Sequence, residues 1–282
     1  MNNTGQGSEM TFEEASRRFI DIFDEPGSRV QPVGVKLIPK GHEIPEGTKP
    51  PAEYQGVPWC EAVRIAAMDG EVVVINKGNV GCPAAGIALG LVDLYKEEPL
   101  FGTRKYTDMM ETPASPADFT NGLVYGCKAS DNMQFALFGE GDTGRYETLG
   151  AAQNAVAGMT SIQPAIMDAA VAYPAETLDI APDVVILGLL PKQALRAIQG
   201  YNFLTGNRFL MSTIGIRAVC ADLTALPFIE QRLNGSLFCL GARAVGGWEG
   251  DLLGLGMPLS VFERMVAGME RSAGGFPYKA YP

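Results

Sequence analysis

Short apolar runs alternate with amphipathic stretches along most of the chain, and this pattern predicts strands alternating with helices. The clearest buried strands are predicted at 71–76 and 183–187, which are rich in valine, isoleucine and leucine. Helical spacing of apolar residues predicts helices after Thr11, from Pro191 to about residue 204, and from Ser260 with a capping box. The predicted class is therefore α/β or α+β, with a mixed sheet and flanking helices.

The chain is expected to form one compact unit, because no low-complexity linker divides it. Residues 1–30 are predicted to form a polar tail and an amphipathic helix, and 31–272 a single α/β domain. A long insertion is expected at about 96–160, where loop signals dominate, and 273–282 read as an extended arm.

The composition is that of a globular protein: 46% of the 282 residues are apolar and 19% are charged. A net charge of −10 argues against nucleic acid and anionic membranes as partners. No secretion signal or membrane-spanning run is found, so we expect a soluble cytoplasmic protein. In that compartment its five cysteines would be thiols, metal ligands or redox groups rather than disulfides.

The single histidine limits the chemistry. Iron sites of the two-histidine, one-carboxylate type are excluded, because the chain cannot supply them. A Ser-His-Asp triad would need His42 itself, which lies in a turn-like stretch.

Cysteines occur where strands and helices are predicted to meet. Cys82 precedes Pro83, which suits a first helical position, so its thiol is expected at a helix N-cap, where free N–H groups favour the thiolate. Cys60 is expected at a helix start and Cys239 at the end of a strand covering 236–240. No C-x-x-C pair occurs, which argues against a zinc ribbon or a thioredoxin-type site.

One hypothesis is that distant loops assemble an iron–sulfur cluster, expected to be [4Fe–4S], on four cysteines: Cys60, Cys82, Cys220 and Cys239. Arg64, Lys77 and Arg243 are expected to balance the charge of the cluster or to hold an acidic substrate, and Gly81 in the glycine turn is expected to be a further cofactor-binding residue. The alternative for the cysteines is that they act as small apolar side chains in the core.

Two other functions stay open at this point. The glycine turn at 78–86 lies between a strand and a helix, an arrangement that binds anions, although it matches neither the P-loop nor the dinucleotide-binding spacing. The protein would then be a non-redox small-molecule or anion-binding module. Alternatively, Cys82 alone could be the nucleophile of a thiol enzyme.

Five runs of sequence, at 59–64, 81–90, 182–187 followed by 193–196, 218–222 and 236–243, resemble the family known as domain of unknown function 169. The resemblance covers about residues 30–272 and includes four of the five cysteines, but not Cys127. The family is widespread in anaerobic bacteria and archaea and brings no settled activity. An anaerobic setting would suit an oxygen-sensitive cluster.

The resulting expectation is a cysteine-ligated iron–sulfur or other metal protein with a redox or small-molecule-transforming role in anaerobic metabolism. Whether it is an enzyme stays open; an iron–sulfur-dependent oxidoreductase or lyase would fit. Its expected partner is a small-molecule substrate or a redox partner, and a homo-oligomer is compatible with the sequence.

Overall fold

The computed structural model of the chain describes residues 10–23, 31–48, 54, 56–92, 158–204, 206 and 208–272. The first nine residues of the expected tail, most of the expected insertion at 96–160 with Cys127, and the expected arm at 273–282 lie outside the described residues. No helix in the described ranges is long and apolar enough to cross a bilayer.

A single six-stranded sheet forms the centre of the described fold, in the order β2-β3-β1-β4-β6-β5. Each of its neighbouring strand pairs is antiparallel. The predicted class, α/β or α+β with helices flanking a sheet, is confirmed; the sheet is antiparallel throughout rather than mixed, which makes the fold α+β. The strands are β1 (Val33–Pro39), β2 (Val73–Asn76), β3 (Met167–Pro174), β4 (Val184–Leu189), β5 (Asn234–Ser236) and β6 (Leu253–Met257).

Helices cover both faces of the sheet, which makes three layers. One face packs against three amphipathic helices: α1 (Phe12–Phe23), α4 (Pro191–Phe203) and α7 (Leu259–Arg271). The opposite face, which we call the cysteine face, is covered by shorter segments. These segments are α2 (Trp59–Arg64), α3 (Pro83–Ala88), α5 (Leu226–Glu230), α6 (Leu240–Ala244) and the π-helices Ile65–Asp69 and Ala218–Ala225.

Burial on both faces explains why the strands are apolar at almost every position. In β4 every residue is buried, with Val185 on the face of the long helices and Ile186 on the cysteine face. Residues that alternate along a strand point to opposite faces, so a strand buried on both sides reads as a continuous apolar run. The predicted strands at 71–76 and 183–187 are therefore recovered with small shifts at their ends.

Two local predictions need correction. The capping box at Ser260 is wrong, because α7 begins at Leu259 with Pro258 as its N-cap and without a side-chain capping bond. The strand predicted at 236–240 is also wrong in position, because β5 covers Asn234–Ser236 and shares only Ser236 with it. Its pairing ends at Ser236, since Phe238 has a left-handed backbone with φ of 59°, a conformation that no extended strand contains.

Helices α4 and α7 cross at a point where two glycines meet. A methyl group on Gly268 would lie 2.0 Å from the carbonyl oxygen of Gly200, which is a rigid backbone atom. No Cβ atom fits at that distance, so the two helices approach this closely only because both positions lack a side chain.

Gly268→Ala is expected to lower the free energy of unfolding by about 2 kcal/mol, because the helices must separate to admit the methyl group. Denaturant titration measures the change. Gly250→Ala is the matched control, since nothing lies within 4 Å of the added methyl group there, and it should change stability by less than about 0.5 kcal/mol. Equal stability of the two variants would contradict this account of the crossing.

Candidate metal centre

Two of the cysteines are brought side by side by a short parallel contact. Val57 and Val80 form an isolated parallel bridge, and the N–H of Gly81 donates to the carbonyl of Val57 at 2.9 Å. The two segments run in the same direction, and Cys60 and Cys82 follow the bridge by three and two residues. Both cysteines therefore leave the bridge on the same side of the fold.

Gly81 makes this contact possible. A methyl group on Gly81 would lie 1.8 Å from the carbonyl oxygen of Gly56, so only glycine allows the two backbones to approach this closely. The rest of the glycine turn is internally bonded. The N–H of Gly78 donates to Asn76 Oδ1, and the N–H groups of Asn79 and Val80 both donate to the carbonyl of Asn76. The N–H of Gly81 donates to the carbonyl of Val57.

Cys82 is the N-cap of α3, as the position of Pro83 predicted. Its backbone is extended there, and its carbonyl accepts the N–H groups of Ala85 and Gly86, both at 3.1 Å. The N–H groups of Ala85 and Ala84 also favour the thiolate of Cys82, although burial has the larger effect and raises the pKa of this thiol. The predicted placement is confirmed, but the thiol is not an acidic one.

Cys220 comes from the π-helix Ala218–Ala225, which packs on α3. Its Sγ lies 3.9 Å from the carbonyl oxygen of Ala84, two residues after Cys82, and 3.7 Å from that of Arg217. This side chain is buried, whereas the other three cysteines are half-buried.

Cys239 is the N-cap of α6, not a strand residue. The sequence pattern did not predict this N-cap, because the left-handed backbone of Phe238 ends the strand and changes the direction of the chain. The far end of α6 rests on α2, where a methyl group on Gly246 would lie 2.9 Å from Cys60 Sγ. Cys60 lies in the first turn of α2, so three of the four cysteines lie at helix starts.

The four thiols form one electrostatically coupled group, which we call the cysteine group: Cys60, Cys82, Cys220 and Cys239. In every pair of this group, a negative charge on one thiol raises the pKa of the other. Burial is the largest cause for three of them: it raises the pKa of Cys60 to about 12 and raises those of Cys82 and Cys220. Cysteines that are up to 179 residues apart in sequence thus lie within range of one another's charge.

Arg217 is a member of the site that the sequence did not reveal. The positive charge of this half-buried arginine lowers the pKa of both Cys82 and Cys220, against the effect of burial. Arg217 lies three residues before Cys220 in the sequence, but nothing in the local pattern distinguishes it from a surface arginine.

Two tryptophans connect the segments that carry the cysteines. Trp59 is fully buried, and its Nε1 donates to Thr224 Oγ1 at 3.0 Å, which joins α2 to the π-helix of Cys220. Trp248 Nε1 donates to the carbonyl of Cys60 at 2.8 Å. The indole of Trp248 also stacks on Phe238, with ring centroids 4.4 Å apart. Packing, rather than ligand binding, accounts for both residues.

The other expected site residues lie on the same side of the fold but have protein partners. Arg64 pairs with Asp69 at 3.1 Å across the first π-helix. Arg243 binds three backbone carbonyls, those of Leu237 at 2.6 Å, Glu249 at 2.5 Å and Leu252 at 3.0 Å. Lys77 is exposed in the turn after β2.

Asp222 is a buried carboxylate two residues after Cys220. It accepts hydrogen bonds from Thr213 at 2.7 Å and Ser236 at 3.4 Å, and burial raises its pKa to about 6. These bonds hold the loop before the π-helix against β5. Over the described ranges, no three His, Cys, Asp or Glu side chains stand in an arrangement that could hold a metal ion directly.

Comparisons with known proteins place the chain among relatives without an assigned activity. It is 23% identical over 238 residues to an uncharacterised protein of Methanocaldococcus jannaschii, with 84% of this chain and 86% of that protein covered. No solved structure matches it. The profile of domain of unknown function 169, described as uncharacterised ArCR, matches residues 27–268, which include all four members of the cysteine group. The chain therefore belongs to the domain of unknown function 169 family.

Proposed function

We propose that this protein is an iron–sulfur protein whose cluster is held by Cys60, Cys82, Cys220 and Cys239. The observation that carries the proposal is the convergence of these four thiols, from four separate segments, on one face of the sheet. Four cysteine thiolates are the usual ligands of [2Fe–2S] and [4Fe–4S] clusters. We propose [4Fe–4S].

The free thiols are donors of the kind that an iron–sulfur cluster uses. The four sulfurs are free thiols, and the site contains a cation and helix N–H groups, which favour the thiolate form that iron requires. Thiolates around one zinc ion lie about 3.8 Å apart, from Zn–S bonds of about 2.3 Å. The thiolates around an iron–sulfur cluster stand further apart than those around a zinc ion, because an inorganic core separates them. Thiols that shift one another's pKa and are separated in space are therefore compatible with a cluster.

Four cysteine ligands favour electron transfer over substrate binding at iron. A cluster, when bound, supplies one-electron transfer. If each of the four iron atoms of a [4Fe–4S] core has a cysteine ligand, none is left open for a substrate. We therefore propose an oxidoreductase role rather than a lyase role, with a small molecule or a second protein as the redox partner. Free thiols persist in reducing compartments, which supports a cytoplasmic location.

The anion-binding alternative has less support. An anion site at a glycine turn uses backbone N–H groups that point at the ligand. Here the N–H groups of residues 78 to 81 all donate within the protein, and Gly81 serves a close backbone contact. The expected role of Gly81 as a cofactor-binding residue thus becomes one of bringing Cys60 and Cys82 together.

The thiol-enzyme alternative also has less support. A nucleophilic cysteine needs a lowered pKa to be a thiolate at neutral pH. Burial instead raises the pKa of Cys82, and no histidine is among the groups that shift it.

Anaerobic reconstitution with iron and sulfide is expected to give brown protein with about four iron and four sulfide per chain. Cys82→Ser is expected to reduce bound iron to less than about one per chain, because a hydroxyl is a poor replacement for a thiolate. Cys60→Ser, Cys220→Ser and Cys239→Ser should behave alike. Iron and sulfide analysis with visible spectra measures loading.

Cys127→Ser is the matched control, because Cys127 is the one cysteine of the five that the proposal does not use as a ligand. It should load as well as the unaltered chain. Full iron retention in Cys82→Ser, or equal losses in all five variants, would contradict the assignment of ligands.

Gly81→Ala is expected to reduce iron loading at least about tenfold, because the methyl group would displace the segment that positions Cys60 relative to Cys82. Gly78→Ala is the matched control in the same turn. The methyl group there meets only the side-chain oxygen of Asn76 at 3.2 Å, which can move, so loading should persist. Unchanged loading in Gly81→Ala would show that the backbone contact is not needed.

Iodoacetamide labelling of the metal-free protein at pH 7 is expected to give no fast, selective adduct on Cys82, because its buried thiol stays protonated. Peptide mass spectrometry over time measures the rate at each cysteine. Labelling of Cys82 about tenfold faster than a free cysteine would favour the thiol enzyme instead.

A further inference from the structure

The free edge of β5, the last strand of the described sheet, is covered by a segment of the same chain, which we call the edge segment (residues 208–215). Met211 lies over Gly235 on the face of the long helices, with its sulfur 3.2 Å from where a methyl group on that glycine would be. On the next residue of β5, the side chain of Asn234 binds both the N–H and the carbonyl of Ser212, each at 2.9 Å. Neighbouring strand residues point to opposite faces, so the edge segment passes round the edge of β5.

The edge segment and the region of α6 expose large apolar side chains. These regions hold six of the twelve exposed large apolar residues of the described ranges, which we call the apolar patch: Leu210, Met211, Ile214, Leu237, Leu240 and Val245. Their exposed fractions run from 39% for Ile214 to 72% for Leu210. Exposed apolar side chains that are concentrated in one region, rather than scattered singly, mark an interaction surface.

Contacts along β5 connect the two halves of the apolar patch. Met211 lies over the middle of β5, and Leu237 directly follows this strand. Arg243 of α6 donates to the carbonyl of Leu237 at 2.6 Å, which holds the helix beside the end of the strand. Leu240 begins α6 and Val245 is its C-cap. The patch therefore extends from the edge segment, along the end of β5, to α6.

The two ends of the apolar patch carry opposite charges. Arg208 is exposed at the end of the patch that the edge segment forms. Glu249 and Asp251 are exposed at the other end, where the carbonyl of Glu249 accepts a hydrogen bond from Arg243 at 2.5 Å. The guanidinium of Arg243 itself binds three backbone carbonyls, so it is directed toward its own chain.

We propose that the apolar patch is the interface of a homodimer, in which a two-fold axis sets the edge segment of one copy on α6 of the other. A two-fold interface joins the same surface of both copies, so each contact occurs twice. This arrangement buries both apolar patches and brings Arg208 to Glu249 and Asp251 of the partner subunit, twice. The patch thus carries both halves of its own charge complement and needs no second kind of protein.

The shape of this surface suits such an interface better than sheet extension. A stable interface buries about 800 Å² on each partner, with an apolar centre and a polar rim. The apolar patch supplies the centre, and the charged residues at its two ends supply the rim. Pairing of two β5 strands is excluded, because the edge segment already covers this edge at residues 234 and 235.

Sedimentation velocity of the metal-free full chain tests the proposal. A dimer with twice the 30.1 kDa mass of one chain is expected. Leu240→Glu should raise the dissociation constant at least about 100-fold, because it buries a charge without a partner. Leu195→Glu is the matched control, since Leu195 is 58% exposed, against 57% for Leu240, but lies on α4 at the opposite face of the sheet. It should dimerise like the unaltered chain, and circular dichroism should show both variants folded.

Charge reversal tests the two-fold arrangement. Arg208→Glu should weaken the dimer about tenfold or more, because it sets like charges against Glu249 and Asp251 of the partner subunit. Adding Glu249→Arg and Asp251→Arg to this variant should restore the dimer, because each contact regains opposite charges. Weakening by both sets of substitutions without recovery in the combination would overturn the arrangement.

Two other results would overturn the proposal as a whole. A chain that stays monomeric up to about 1 mM would show that the patch is covered by another part of the chain or by a different partner. A dimer that Leu240→Glu and Arg208→Glu both leave intact would have its interface elsewhere on the protein.

Discussion

The close backbone contact of Gly81 with Gly56 and Val57 is the constraint on which the candidate site depends. It fixes a parallel bridge between two segments that are separated in the chain by a π-helix and β2. Because both segments run the same way, each delivers a cysteine to the same place within three residues. The remaining two cysteines are then added by elements that pack on this pair: the π-helix of Cys220 against α3, and α6 against α2.

Burial and charge oppose each other at the cysteine group. Low polarity around the thiols favours their protonated form, and each thiolate would further disfavour the next. The positive charge of Arg217 and the N–H groups at the start of α3 act in the other direction. Under the proposed function, iron must displace the protons of these thiols when it binds them, so the protonated thiols would be the resting form of the ligands.

The sequence predicted the strands and helix ends whose structure depends on residues that are close together in the chain. The buried strands around Ile75 and Ile186 were readable because burial on both faces gives continuous apolar runs, and the N-cap at Cys82 was readable from Pro83. The position of Cys239 was not, because the turn at Phe238 depends on packing against Trp248, 10 residues further along the chain. Arg217 was missed for a similar reason: its effect arises from the thiol of Cys82, which only the tertiary structure brings near.

The central claim is that one inorganic centre is bound by all four members of the cysteine group. A crystal structure of the anaerobically reconstituted protein, with anomalous data collected at the iron absorption edge, tests it most directly. The account predicts one iron cluster per chain, bonded to the Sγ atoms of Cys60, Cys82, Cys220 and Cys239. Iron bound at other residues, or no iron peak between these four sulfur atoms, would contradict it.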